Sequence, residues 1–176
     1  MTPRPRAAAR IADVLRQEVR EGYDPEGEVD LPGFAASATT YAVTVAAGLV
    51  ALRASGRQLP ERYELTDVLL GGLATHKFSR LLAKGSVTSP IRAPFTEFEG
   101  PAGSAEHHEE PRGAHGFRHT VGELLTCPFC VGVWTGTAYV AGLALAPRLA
   151  RTWAAAFSVV GVSDALQHGY ARLRRD

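Results

Sequence analysis

Cysteine is scarce: two residues in 176, both in the run Cys127-Pro128-Phe129-Cys130. Two are too few for an extracellular disulfide framework. Net charge is nearly absent, since 19 Lys and Arg stand against 18 Asp and Glu. That excludes a strongly basic nucleic-acid binder and an acidic solvating tail. Residues 1–30 carry five Arg and seven acidic side chains with no unbroken apolar run, so they do not read as a signal peptide. Phosphate-cradling glycine loops, GxGxxG, GxSxG and HExxH are all missing. The most informative scarcity is local. Leu31–Leu52, Leu124–Pro147 and Thr152–Ser163 hold 58 residues without one charged side chain, where an even spread would place roughly 12.

Those apolar runs set the expected architecture. Leu31–Leu52 is 22 uncharged residues, and at 1.5 Å per residue a helix of that length spans about 33 Å, a bilayer core. Glu64–Lys84 reads as a helix stopped at Gly85, but Asp67, His76, Lys77 and Arg80 make it a poor span unless its polar stripe faces other helices. Leu124–Pro147 is the best span, and a short turn at Arg148–Arg151 leads into a helix over Thr152–Leu173. Between them, residues 85–122 form a long polar loop in which Phe95–Glu99 alternates like a short strand. Residues 1–30 form a separate cytoplasmic segment, with Ile11, Val14, Leu15 and Val19 at amphipathic helical spacing. The expected fold is all-α: an integral membrane protein with a four-helix transmembrane bundle (about 31–52, 64–84, 124–147 and 152–173) and a long cytoplasmic loop. With both termini and that loop on one side, 14 Lys and Arg face the cytoplasm and five the exterior, in line with the positive-inside rule. A bacterial inner-membrane, multi-pass protein with both termini cytoplasmic follows as an expectation. Its partners are then the bilayer and a protein partner or second copy, not nucleic acid.

Two groups of residues carry chemistry. Cys127 and Cys130 open a helix, where the dipole favours a thiolate. They suit a redox dithiol, half of a zinc site completed by histidines such as His107, His108, His115 or His119, or a structural helix entry. The second group appears when helices are aligned by depth. His76 with Arg80, and Asp164 with His168, are i,i+4 pairs lying about 6 and 12 Å inside the cytoplasmic ends of their helices. Intramembrane ionisable groups are costly and pair with one another or line wet sites. Asp164 is therefore expected to accept a hydrogen bond or ion pair from Arg80 or His76. Arg92, Glu97, Glu99 and Glu123 are candidates for a charged rim above this cluster, and His107-His108-Glu109-Glu110 for a metal-binding or solvated loop run.

The stretches LATHKFSRLLAKGSVTSPIRAPF (Leu73–Phe95), FEGPAG, EEPRG and VGELLTCPFCVGVW (Val121–Trp134) together resemble the bacterial membrane-protein family catalogued as domain of unknown function 1360, some of whose members carry sporulation names. The resemblance covers roughly Tyr63 to Leu173. It implies a small integral membrane protein with no assigned activity, and a shared pattern that includes His76, Arg80, Arg92, Glu99, Cys127, Cys130 and Trp134. The expected function is thus non-enzymatic: a structural or partner-binding membrane component with a metal or lipid-headgroup site at the cytoplasmic face, zinc at Cys127 and Cys130 being the cofactor to consider. The alternative is a thiol-redox membrane enzyme using the same two cysteines.

Overall fold

The structure, a computed structural model, describes residues 17–18, 22–26 and 29–174. The amphipathic spacing at Ile11–Val19 lies outside the described residues. From residue 29 onward the described residues form, in order, α1 (Leu31–Ala54), α2 (Leu65–Lys84), a 3-10 turn at Ser86–Thr88, α3 (Ser89–Arg92), a β-hairpin of β1 (Thr96–Gly103) and β2 (Glu106–Pro111), α4 (Phe117–Thr126), α5 (Pro128–Leu145) and α6 (Pro147–Leu173). The fold is mostly helical, and among the described residues two helices, α1 and α5, are long and apolar enough to cross a membrane.

Prolines account for two departures from the expected helix bounds. A residue before proline is pushed out of the helical region. Cys127 is accordingly extended (φ −99°, ψ 105°) before Pro128, which splits the expected 124–147 helix into α4 and α5. Ala146 (φ −148°, ψ 67°) breaks the chain before Pro147, so the expected turn at Arg148–Arg151 is instead the first turn of α6. The 85–122 segment is no open loop either. It folds into the 3-10 turn, α3, an antiparallel hairpin and most of α4. The fold is therefore not purely α: Glu97 pairs with Glu110 and Phe98 with Glu109, with register shifts at Phe98/Gly100 and Pro101/Gly103. Phe117 and Val121 supply an i,i+4 apolar pair that marks α4 in retrospect.

The long helices alternate in direction. α1 runs alongside α5: Asp30 Oδ2 accepts from Thr120 Oγ1 at 2.9 Å, the Tyr41 and Thr137 hydroxyls meet at 2.7 Å, and Arg57 Nη1 donates to Leu145 O at 2.9 Å. α2 runs opposite to α5 and parallel to α6. Tyr139 OH donates to Asp67 O at 3.0 Å, while Ser158 Oγ donates to Leu70 O at 2.9 Å.

Small residues permit this close approach. Ala74 and Ala154 are almost fully buried. A Cβ added at Gly71 would lie 2.1 Å from Tyr139 Cε1, and Gly161 already faces Leu73 and the Lys77 Cβ. Around this seam Phe78, Trp153 and Phe157 stack edge-on or tilted, with ring centroids 4.9–5.5 Å apart. Close packing through Gly, Ala and Ser is how helices associate where lipid, not water, surrounds them.

Candidate binding site at the helix ends

Three ionisable groups of α2, Asp67, Lys77 and Arg80, are turned toward partners. At one end Arg151 Nε and Nη2 donate to the two carboxylate oxygens of Asp67, each at 2.8 Å. Ten residues along α2, Lys77 Nζ pairs with Asp164 Oδ2 on α6. One turn beyond, Arg80 holds Glu106 at the start of β2 through two bonds of 2.7 Å.

Arg92 anchors the segment beyond α2. It has no solvent exposure. Nε and Nη2 donate to Glu109 at 2.8 and 2.6 Å, Nη1 donates to Leu82 O at 2.6 Å and Thr88 Oγ1 at 2.7 Å, and Nη2 reaches Gly85 O at 2.9 Å. Thr96 Oγ1 and Ser89 Oγ complete the Glu109 shell at 2.8 and 3.1 Å. Burial pushes the Glu109 carboxyl up, but these hydrogen bonds and the Arg92 charge outweigh it and hold it below the usual carboxylate range. The Arg92 guanidinium thus ties the end of α2, α3 and β2 together into a cap, and Thr96 joins β1 to them through Glu109. Gly85 is required here for room and not for a left-handed turn: its φ is −60°, and a Cβ would sit 2.6 Å from Leu81 O.

Between this cap and the last turns of α2 and α6 lies a cavity of about 440 Å³, lined by Lys77, Ser86, Glu106, Asp164, Gln167 and His168 among others. Two of the four residues expected to cluster, Asp164 and His168, line it. Arg80 reaches it through Glu106, and His76 is exposed and takes no part. Asp164 does not pair with Arg80 or His76 as expected. Gly161 sets Lys77 against α6, and His76 lies about 100° round the helix from that face.

The expected rim also rearranges. Arg92 is buried in the cap, Glu97 stands 3.8 Å from Arg112 Nη1 at the surface, and Glu99 is exposed. Glu123 sits beside the α4–α5 junction with Oε1 3.6 Å from His119 Nε2.

Cys127 and Cys130 are free thiols, and Cys127 Sγ accepts from the Cys130 N–H at 3.2 Å, capping α5. In the His107–Glu110 run, His107 Nδ1 is bonded to Ser89 Oγ at 2.8 Å and Glu109 belongs to Arg92, while His108 and Glu110 are exposed. Among the described residues no three His, Cys, Asp or Glu side chains converge as a metal site. The zinc candidates therefore do not come together.

A family model described as a protein of unknown function, DUF1360, matches residues 69–170. The chain belongs to this family. It is also 30% identical over 106 residues to sporulation protein YjcA of Bacillus subtilis (strain 168), an alignment covering 58% of this chain and 88% of that protein. No solved structure matches the chain. The DUF1360 match takes in Lys77, Arg80, Arg92, Glu106, Glu109, Asp164 and His168, and so both the cavity and the buried cap. It leaves out α1.

Sequence reasoning missed Lys77, Glu106 and Glu109 as paired groups. Lys77 had a usable signal: it lies four residues after Leu73, on one helix face. Glu106 and Glu109 had none, because their placement depends on a hairpin whose pairing follows no clean alternation.

Proposed function

We propose that this DUF1360 protein is a multi-pass membrane component in which α1, α2, α5 and α6 cross the bilayer, with both chain ends and the hairpin cap at the cytoplasmic face. It works by binding and not by catalysis, and the polar cavity at the helix ends is where a lipid headgroup is held.

One observation carries the membrane reading. α1 has 24 residues with Arg53 its single charged side chain, and not one of them is buried. A soluble fold would bury such a helix; a bilayer solvates it. Thr39, Thr40 and Thr44 on α1 return their hydroxyls to carbonyls four residues back, at 2.7–2.8 Å, which satisfies them without water. α2 and α6 support the same reading. Their outward faces show Leu65, Leu69 and Val159 largely exposed, while Asp67 and Lys77 are paired across the seam. The binding reading draws on the polar cavity between the cap and the helix ends.

Topology mapping tests it. Reporter fusions at Met1 and Asp176 and in the Ser104–Ala105 turn are expected on the cytoplasmic side, with a fusion near Gly56 outside. Opposite sides for the two termini would overturn the four-crossing arrangement.

A further inference from the structure

We infer that the cavity beneath the hairpin cap binds a zwitterionic amine–phosphate headgroup, as carried by an aminophospholipid. The inference rests on the membrane reading and names the ligand class of its site.

Charge balance selects that class. The cavity wall presents Lys77 paired with Asp164, and Glu106 held by Arg80 from outside. Each pair is neutral as a unit. A purely anionic headgroup that drew Lys77 away would strand Asp164, and a simple cation that drew Asp164 away would strand Lys77, each at the cost of an unpaired charge in a partly desolvated place. A ligand with one group of each sign leaves no charge unmatched. Its ammonium N–H donors suit the remaining carboxylate lone pairs of Asp164 and Glu106, and its phosphate suits Lys77, Gln167 and His168.

The neighbourhood fits a lipid. Val87, Leu166 and Leu173 are exposed apolar groups around the same helix ends, and Tyr170 with Arg174 stacked over its ring at 5.9 Å has the composition of an interfacial anchor. The Ser86–Ala105 pairing, where Ser86 N and Oγ donate to Ala105 O at 2.9 and 3.1 Å, fixes the cap side of the cavity wall.

The test uses the full chain reconstituted in phosphatidylcholine nanodiscs doped with phosphatidylethanolamine or phosphatidylglycerol, with retained lipid counted by native mass spectrometry. One phosphatidylethanolamine is expected to be retained over either other lipid by about tenfold, the scale of one charge-assisted hydrogen bond. The variant K77M/D164L removes both partners and leaves no unpaired charge, and it is expected to abolish that preference while keeping the helical circular dichroism of the parent. Competition by soluble phosphoethanolamine would support the same headgroup chemistry from a free source, and lack of competition would support the lipid. Equal retention of all three lipids, a preference for phosphatidylglycerol, or an unchanged preference in K77M/D164L would overturn the inference. Failure of the membrane reading looks different: the chain would then stay in aqueous solution without discs.

Discussion

Arg92 and Glu109, from α3 and β2, meet in the interior as a two-bond pair at 2.6 and 2.8 Å, with Arg92 wholly shielded from solvent. The pair closes the cap that roofs the cavity. Every guanidinium N–H has an acceptor, so the burial cost of the charge is met by geometry that only arginine supplies. Replacing Arg92 by Lys keeps the charge but loses the planar fork. R92K and E109Q are both expected to destabilise the folded protein by about 3–5 kcal/mol, the usual cost of breaking a buried pair. Chemical unfolding in detergent, followed by tryptophan fluorescence, measures this. A loss under about 1 kcal/mol would show that the pair does not hold the cap.

The same pair gives a pH dependence. The Glu109 pKa is depressed in the folded state. Its contribution is therefore complete above the unfolded carboxylate value of about 4.3 and fades as pH falls through the lower folded value. Stability of the wild type is expected to decline on acidification below about pH 5, and E109Q is expected to flatten that decline. Parallel acid profiles for the two proteins would contradict it.

How much of this was readable in advance depended on the range of the interaction. Three of the long helices, α1, α5 and α6, declare themselves through local apolar runs, and Asp164 and His168 could be placed near the C-terminal end of α6 by counting residues. The helix breaks at Cys127 and Ala146 were also present, in Pro128 and Pro147, but the uncharged run concealed them. The cap was not readable. Arg92 finds Glu109 through a bulged hairpin rich in Gly, Pro and Glu, where neither a two- nor a 3.6-residue period survives. An arginine in a polar segment looks solvated until its acceptors, backbone carbonyls of Leu82 and Gly85 among them, are assembled in three dimensions.

Gly71 tests the seam. Its missing Cβ leaves space for the Tyr139 ring, which is fixed at its far end by the bond to Asp67 O. G71A is expected to cost about 1–3 kcal/mol through overpacking, whereas G72A, with open space at its Cβ, is expected to be neutral or slightly stabilising. Thermal denaturation of the two variants side by side checks the contrast. Equal midpoints would argue against a tight α2–α5 contact.

The cysteines allow a separate check. Cys127 Sγ acts as the N-cap acceptor of α5, and serine performs that role well. C127S/C130S is expected to keep the parent stability, and C127A to lose about 1 kcal/mol. If C127S/C130S abolished the cellular phenotype of the gene with folding intact, the thiols would have a chemical role and the binding account would need replacing.

The account depends most on bilayer as the solvent of α1, whose 24 residues include none that is buried. Alkaline carbonate extraction of native membranes tests this most directly. The full-length chain is expected to stay with the pellet and to require detergent for release. Recovery in the aqueous supernatant, monodisperse without detergent, would contradict the account.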